Sequence, residues 1–270
     1  MTILVVRPAP SCFKLVNSLN QAGMKALSAP LLSFSAGNDL PTLSNCLDAL
    51  PSQSVVVAIS PRSVEYACVY MHNHGNFWRK DLHYVAVGKK TARTWCKQGG
   101  VDVLQPPTED SKGILAMSLF ANLKPDYSGI NRLYSNTRVL SVLILRGNGG
   151  NALLGETLRD NNVIVHYFEA YQRHWHSADL PSLMVQWRYE NVDTLVITSG
   201  EQLSLLWKTI SNTNQQWLKE CHILVPSKRI YNQAINFGFS KINCVNSAAN
   251  STLFHVLYEM TNSGHSDDRQ

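Results

Sequence analysis

The RGNGG sequence at 146–150 combines an arginine with three glycines, a composition that suits an anion-binding turn. An apolar run at 142–145 predicts a buried strand before it, and leucines at helical spacing predict a helix after it. Glycines allow the backbone to approach a ligand closely, and the N–H groups of a helix start attract negative charge. Because ligands of open α/β sheets bind at the carboxyl ends of strands, Arg146, Gly147 and Asn148 are candidate carboxylate-binding residues.

The same turn has two further interpretations. Glu169 follows the glycines by about twenty residues, the spacing of the acidic residue in a dinucleotide-binding fingerprint. The third glycine of that fingerprint is missing, because Leu153 stands near its place. The turn is therefore also compatible with a nicotinamide cofactor, or with glycines that serve packing alone.

Polar residues follow several other predicted strands. Ser60, Ser199 and Ser227 each precede a predicted helix, and none lies in the G-x-S-x-G sequence of a hydrolase nucleophile. As helix N-caps these serines need no catalytic role. Gly88 and Thr91 bound a GKKT turn that is not a P-loop, because the sequence G-x-x-x-x-G-K-[ST] is absent.

Metal ligands are not grouped in this sequence. The histidine pairs His72/His74 and His174/His176 have the i,i+2 spacing that places two side chains on one face of a strand. No Asp, Glu or Cys stands at ligand spacing beside either pair, so surface histidines are expected. The six cysteines are scattered without a CxxC pair, which argues against a zinc site or a disulfide framework and indicates a reducing cytoplasm.

The elements that must position these residues alternate between strands and helices along the whole chain. This alternation predicts an α/β fold whose parallel sheets carry helices on both faces. Strands are predicted at 2–6, 25–30, 55–59, 84–87, 101–104, 142–145, 163–168, 194–197, 222–225 and 242–245. Helices are predicted at 12–22, 43–50, 91–98, 111–123, 180–189, 201–209 and 251–260, with a polar connection at 126–138 and a disordered tail at 263–270.

The chain also resembles itself at a spacing of 138 residues. Ser60 and Thr198, 138 residues apart, both follow a buried strand and open a helix. Gly88 and Pro226 occupy the next turn at the same spacing. The repeat predicts two α/β domains of similar plan.

The first strand then belongs with the last third of the chain. One domain is predicted to contain 1–34 and 174–262, the inserted domain 41–167, and a two-stranded linker 35–40 and 168–173. A cleft between the domains would be lined by strand-end turns from both. Tyr171 lies in the second linker segment and would face the cleft, as a functional group or as a hinge cover with its hydroxyl in water.

Composition and charge exclude several classes of protein. Of the 270 residues, 44% are hydrophobic and 16% charged, as in a soluble globular protein. No apolar run reaches the ~18 residues of a membrane span, and the N-terminus lacks the basic region of a signal peptide. The net charge of +5 is dispersed, which argues against a nucleic-acid partner and is compatible with a small acidic ligand.

Five short motifs occur in a specific order. They are ILVVRP at 3–8, SPRSVE at 60–65, AVGKKTA at 86–92, VLILRGNGG at 142–150 with E-x-Y-x-R at 169–173, and VITSGEQL at 196–203. In this order the motifs resemble the uroporphyrinogen-III synthase family of the gamma-proteobacterial type. The resemblance runs from Thr2 to about Leu257. It implies two α/β domains joined by a two-stranded linker, with the active-site cleft between them.

The resemblance also implies an activity. Enzymes of this family cyclise the linear tetrapyrrole hydroxymethylbilane to uroporphyrinogen III in heme biosynthesis, invert the terminal pyrrole through a spiro intermediate and release water. They use no cofactor and no metal. The expected protein is a cytoplasmic monomer without nucleic-acid or membrane partners, with at most a transient contact with the preceding pathway enzyme. A non-catalytic two-lobed binder of an anionic metabolite and a nicotinamide-dependent oxidoreductase stay open as alternatives.

Site residues follow from the same resemblance. Tyr171 matches the family's tyrosine implicated in donating a proton to the leaving hydroxyl, and a neutral phenol can do this. Thr91 and Ser199 match polar residues that line the family's cleft, whereas the Pro-Ser-Lys turn at Ser227 departs from its threonine-rich turn. The substrate carries eight carboxylates, so helix-start amides and dispersed cations are expected to bind it. These candidates are Arg7, Ser60, Arg62, Gly88, Thr91, Arg146, Gly147, Asn148, Thr198, Ser199, Gly200 and Ser227.

Overall fold

The computed structural model of the protein describes residues 1–121, 140–150 and 152–263. The strands are β1 (Thr2–Val6), β2 (Lys25–Ser28), β3 (Leu32–Ala36), β4 (Val55–Ala58), β5 (His83–Ala86), β6 (Val103–Leu104), β7 (Ser141–Gly147), β8 (Ile164–Trp175), β9 (Thr194–Ile197), β10 (His222–Val225) and β11 (Ile242–Cys244). The helices are α1 (Ser11–Gln21), α2 (Leu43–Asp48), α3 (Pro61–Asn73), α4 (Lys89–Gly99), α5 (Ser111–Leu115), α6 (Ser118–Ala121), α7 (Leu153–Asp160), α8 (Leu180–Tyr189), α9 (Gly200–Thr209), α10 (Asn212–Glu220), α11 (Lys228–Asn236) and α12 (Asn250–Ser263). A 3₁₀ turn at Leu40–Thr42 precedes α2.

The first sheet has the strand order β11-β10-β9-β1-β2, and its strands are parallel. Side chains of β1 alternate between two hydrophobic clusters, because successive strand residues point to opposite faces. Leu4 and Val6 pack with the cluster that contains α8 and α9 side chains, and Ile3 and Val5 pack with the one that contains α1 and α12 side chains. Burial on both faces explains why this strand is a continuous apolar run.

The second sheet has the order β3-β8-β7-β4-β5-β6. The pairs from β8 to β6 are parallel. Strand β3 runs antiparallel to β8, since the N–H of His176 donates to Leu31 at one end and that of Gly37 donates to Ala170 at the other. The prediction of an α/β fold with mainly parallel sheets is confirmed.

The contacts within the chain divide it into two compact units. One contains Met1–Ser33 and the described part of His174–Gln270, and the other contains Phe34–Arg173. The division falls inside β3 and inside β8. The segment 168–173, predicted as linker, forms part of β8, and 35–40 contains the end of β3 and the start of the 3₁₀ turn. The interpretation of these units as separate domains joined by a linker stays a prediction.

Several elements differ from their predictions. The helix predicted at 111–123 is two short helices, α5 and α6, within the described residues. The strand predicted at 163–168 continues to Trp175 as β8. Helix α10 was not predicted: its sequence, NTNQQWLKE, is mostly polar and buries only Leu218, but the Ser211 side chain caps its start. The predicted connection at 126–138 and the tail at 264–270 lie outside the described residues.

Candidate active site

Three of the predicted turns lie side by side at the carboxyl edge of the six-stranded sheet. Ala58 of β4 pairs with Leu145 of β7 on one side and with Ala86 of β5 on the other. The turns that follow these strands contain Ser60, the RGNGG sequence and Gly88. The parallel topology therefore brings them together, as expected for a site at strand ends.

A β-bulge places Tyr171 against the glycine turn. Arg146 pairs with Glu169, but Gly147 pairs with Tyr171, so one residue of β8 is passed over. A Cβ on Gly147 would lie only 2.7 Å from Cζ of the tyrosine ring. Glycine is therefore required at 147 by the close approach of the ring.

The Tyr171 side chain is enclosed by aromatic residues. Its ring centroid lies 5.9 Å from that of Phe34 and 6.1 Å from that of Tyr66, which it stacks against at 19°. The Arg62 guanidinium lies 3.7 Å from the Phe34 ring centroid. Only 2% of Tyr171 is exposed, so the expectation that its hydroxyl lies in water is wrong, whereas its place at a hinge stays a prediction.

The Tyr171 hydroxyl oxygen accepts a hydrogen bond from Nη2 of Arg173 at 2.8 Å. A guanidinium has only donors, so the phenol oxygen must be the acceptor and its own proton stays free for another group. Sequence reasoning missed Arg173, although the E-x-Y-x-R motif contains the signal. Residues two apart on a strand point to the same face.

Asn148 joins the turn to β8 through both its backbone and its side chain. Its backbone N–H donates to the Tyr171 carbonyl at 3.1 Å. Its side chain donates to the Arg173 carbonyl at 3.2 Å and accepts from the Arg173 N–H at 2.8 Å. The Gly149 N–H donates to the Gly147 carbonyl. These two turn amides are already used by the protein, and the binding of a carboxylate by this turn stays a prediction.

The dinucleotide interpretation is not supported. A bound dinucleotide would need free amides in the glycine turn for its pyrophosphate. It would also need a free carboxylate at Glu169 for its ribose. Oε1 of Glu169 instead accepts hydrogen bonds from the Asn38 N–H at 3.2 Å and from Nε2 of Gln172 at 2.9 Å.

Arg146 binds its own turn and packs against Tyr167. Its Nη2 donates to the Gly150 carbonyl at 3.0 Å, and its guanidinium lies 4.7 Å from the Tyr167 ring centroid. Arg159 lies 4.8 Å from the same ring. Arg146 thus lines a mainly apolar pocket of about 230 Å³ together with Tyr167.

The start of α4 already holds a carboxylate. Oε1 of Glu109 accepts from the Lys89 N–H at 3.1 Å, and a Cβ on Gly88 would lie 2.6 Å from Oε2 of the same side chain. Thr91, two residues further on, is only 3% exposed. Glu109 was not singled out from the sequence, because no local pattern links it to a helix start twenty residues earlier.

The carboxyl edge of the five-stranded sheet carries the remaining candidates. Val6 of β1 pairs with Ile197 of β9, and β9 pairs with β10. Arg7, Thr198 and Ser227 follow these three strands and therefore lie along one edge.

Arg7 is bound to the start of α12. Its Nη1 donates to the Asn250 side chain and its Nη2 to the Ala248 carbonyl at 3.1 Å. Burial lowers the pKa of its guanidinium from the ordinary value. Its buried Nε has no partner among the described residues. Arg7 thus supports the fold of its own unit as well as being a candidate ligand cation.

The helix starts at this edge differ from the one at Ser60. The Ser60 hydroxyl accepts from the Ser63 N–H at 3.2 Å, so this serine is the predicted N-cap. Ser199 and Ser227 stand at the N-cap positions of α9 and α11 without a side-chain capping bond to any described residue. The prediction that these two serines are helix N-caps is confirmed for their position, although neither side chain makes a capping bond with a described residue.

The first turn of α9 is closely packed on one side. A Cβ on Gly200 would lie 2.4 Å from Oε1 of Gln233, whose Nε2 donates to the Gly200 carbonyl at 2.8 Å. Gln202, fully buried, has no partner for either side-chain polar atom among the described residues.

Two further properties bear on function. The described residues contain no group of three or more His, Cys, Asp or Glu side chains that could hold a metal ion. In the same part of the chain, no helix has the length and apolar character needed to cross a bilayer.

Comparison with known proteins identifies the family. A family model described as uroporphyrinogen-III synthase HemD matches residues 14–254. The uroporphyrinogen-III synthase of Salmonella typhimurium is 34% identical over 95% of this chain and 100% of its own length. The chain belongs to the uroporphyrinogen-III synthase family. The Escherichia coli uroporphyrinogen-III synthase is 33% identical over 95% of this chain and 100% of its own length.

Solved uroporphyrinogen-III synthases share the fold. A mutant enzyme from Thermus thermophilus matches with a TM-score of 0.69 at 14% identity, over 97% of this chain and 100% of the other. The enzyme from Helicobacter pylori matches with a TM-score of 0.54 at 12% identity, over 96% and 99% of the two chains. Membership of this synthase family confirms the resemblance drawn from the five motifs, and it replaces the binder and oxidoreductase alternatives. The chain is thus a cyclising lyase of heme biosynthesis.

Proposed function

We propose that this synthase cyclises hydroxymethylbilane to uroporphyrinogen III with Tyr171 as the proton donor. The main support for this proposal is the direction of the hydrogen bond between Arg173 and Tyr171, which leaves the phenol proton free. Departure of hydroxide from the bilane needs such a proton. The resulting cationic azafulvene then closes through a spiro intermediate that inverts the terminal pyrrole.

Binding of the substrate would rely on groups that the protein leaves without an anionic partner. Arg62 contacts the Phe34 ring and makes no hydrogen bond or ion pair with the described residues, so it is a suitable cation beside Tyr171. The starts of α9 and α11 lack side-chain caps, and the N–H groups of a helix start favour a carboxylate. We assign Thr198, Ser199, Gly200 and Ser227 to this role.

The other candidates receive supporting roles. Gly147 and Asn148 hold Tyr171 and Arg173 in place, and Arg146 packs on Tyr167. Gly88 and Thr91 belong to a helix start that a substrate carboxylate reaches only by replacing Glu109.

The tyrosine must become accessible during the reaction. Because only 2% of its side chain is exposed, the substrate reaches the hydroxyl only when neighbouring side chains move. Most of the catalytic task would then be to hold the bilane with its terminal pyrrole ready to invert.

We further propose that the protein acts as a monomer in the cytoplasm, with at most a transient contact with the preceding pathway enzyme. All six cysteines are free thiols, which suits a reducing compartment. Light scattering of the purified protein at increasing concentrations tests the oligomeric state. A dimer at low concentration would overturn the monomer.

The function is tested by product identity. Purified protein is incubated with enzymatically made hydroxymethylbilane, and the products are oxidised and separated as porphyrin isomers. Without an enzyme the bilane closes to the unrearranged isomer I, so isomer III reports enzymatic control. We expect isomer III in excess over a boiled-protein control. Isomer I alone, from a folded protein, would overturn the proposal.

A further inference from the structure

We propose that Arg173 is a positioning residue that acts through the Tyr171 oxygen, and that Asn148 holds Arg173 in place. The inference rests on the proposed role of Tyr171 as proton donor. It concerns three residues that the bulge between β7 and β8 brings together.

The contact between the two side chains has a fixed direction. Nη2 of Arg173 lies 2.8 Å from the Tyr171 oxygen, and its guanidinium carbon lies 5.5 Å from the ring centroid. An arginine donates and never accepts, so it occupies a lone pair of the phenol and orients the remaining hydroxyl proton away from itself. A hydroxyl held in this way can donate only to a ligand or to another acceptor.

The backbone of Arg173 is fixed by a side chain from the neighbouring strand. The Asn148 amide makes two hydrogen bonds to it, at 2.8 Å and 3.2 Å, in the manner of a paired strand residue. Asn148 itself is tied to β8 by its N–H bond to the Tyr171 carbonyl. The chain of contacts resembles other active sites, in which a third group orients the residue that assists the reactive one.

The cation matters most while the proton moves. In the step we propose, the Tyr171 O–H bond breaks, and the proton joins the leaving hydroxyl oxygen. The C–O bond of the bilane then breaks, and its electron pair leaves with water. Negative charge remains on the phenol oxygen, where the Arg173 donor stabilises it. Ring closure later releases one proton from the new pyrrole carbon, which returns the phenolate to phenol.

The ring contacts give this arrangement little freedom. Tyr66 stacks on one side of the Tyr171 ring, Phe34 lies against it at a tilt, and Gly147 touches it. The packing fixes the position of the phenol oxygen but leaves the O–H bond able to rotate. The hydrogen bond from Arg173 occupies one side of that oxygen, so it favours orientations in which the proton points elsewhere.

A double-mutant cycle tests whether Arg173 acts through the phenol. Rates of isomer III formation are compared for Arg173→Gln, Arg173→Lys, Tyr171→Phe and Tyr171→Phe/Arg173→Gln. We expect Arg173→Gln to lower kcat about tenfold or more, with KM changed less than about twofold, since the lost donor acts in the transition state. Arg173→Lys keeps a cation and a donor and should recover most of kcat. In the Tyr171→Phe background, Arg173→Gln should lower kcat by less than about twofold, because no phenol oxygen remains.

The control is Arg93→Gln, which removes an exposed arginine of α4 and should leave kcat unchanged. Thermal unfolding of each variant checks that the protein is folded.

Asn148→Ala should lower kcat in the parent protein, by less than Arg173→Gln does. In the Tyr171→Phe background it should leave kcat unchanged. Full additivity in the cycle, or a rise in KM as the main effect, would overturn the inference and make Arg173 a substrate-binding cation. Loss of isomer III in the parent protein would instead overturn the proposed function.

Discussion

Side chains of the protein bind two helix starts at the carboxyl edge of the six-stranded sheet, those of α3 and α4, whereas the starts of α9 and α11 at the five-stranded sheet lack a side-chain cap among the described residues. Ser60 caps α3 with its own hydroxyl, and Glu109 places a carboxylate on the start of α4. At the matching turns of the other sheet, Ser199 and Ser227 make no side-chain capping bond within the described residues.

This difference indicates a division of tasks. A side-chain cap contributes about 1 kcal/mol to stability, so an uncapped helix start is a cost that ligand binding can offset. The six-stranded sheet instead uses its edge to fix Tyr171, Arg173 and Asn148. Under the proposed function, the uncapped starts of α9 and α11 would bind carboxylates, while the edge of the six-stranded sheet holds the proposed proton donor.

The largest expected effect comes from Gly147→Ala, which breaks the rigid edge of the six-stranded sheet. The new Cβ would lie 2.7 Å from Cζ of Tyr171, so the ring or β8 must shift. Overpacking of this kind typically costs about 1–3 kcal/mol, and we expect about 3 kcal/mol here. Urea unfolding and kcat are measured together. An unchanged kcat and an unchanged free energy of unfolding in Gly147→Ala would contradict the close packing.

Arg7→Met tests how much a candidate ligand cation at the edge of the five-stranded sheet contributes to stability. The change removes hydrogen bonds to Asn250 and to the Ala248 carbonyl while keeping the apolar stem. We expect a loss of about 2 kcal/mol in the free energy of unfolding, measured with urea. A stable variant with a strongly raised KM would show that Arg7 serves the ligand alone.

Ser60→Ala and Ser199→Ala form a matched pair, because each serine stands at the N-cap of a helix that follows a buried strand. Ser60→Ala removes a capping bond and should lower the free energy of unfolding by about 1 kcal/mol. Ser199→Ala removes no capping bond, so its stability should change by less than about 0.3 kcal/mol, while KM rises about threefold. Equal losses of stability in the two variants would contradict the comparison between the sheets.

Glu109→Gln should have the smallest effect on the kinetic constants. It removes the carboxylate from the start of α4, which then more closely resembles the start of α9, where no side-chain capping bond is found among the described residues. Without its charge, the side chain competes less well for the Lys89 N–H against a substrate carboxylate. We expect KM to fall by about twofold at unchanged kcat. The control is Asp102→Asn, which removes the charge of an exposed acidic residue in the same unit. A rise in KM would mean that Glu109 itself assists binding.

The turns at both sheet edges could be predicted from sequence, because short apolar runs alternate with helices and parallel strands end at the same edge. The position of Tyr171 could not. Its burial depends on the bulge at Gly147, and a one-residue shift in pairing has no signature in the apolar pattern. The roles of Asn148 and Glu109 were missed for a similar reason, since each depends on a contact between segments about twenty or more residues apart.

The rate and product of Tyr171→Phe test the central claim most directly. Phenylalanine keeps the ring packing and removes only the donor, and a positioned general acid is typically worth ~10²–10⁴-fold. We expect a fall in kcat of about 10²-fold, because water replaces the phenol in part, with the remaining product still isomer III. The free energy of unfolding should fall by about 1 kcal/mol through loss of the bond to Arg173. A kcat within about twofold of the parent would contradict the account and assign the proton to water or to a substrate carboxylate.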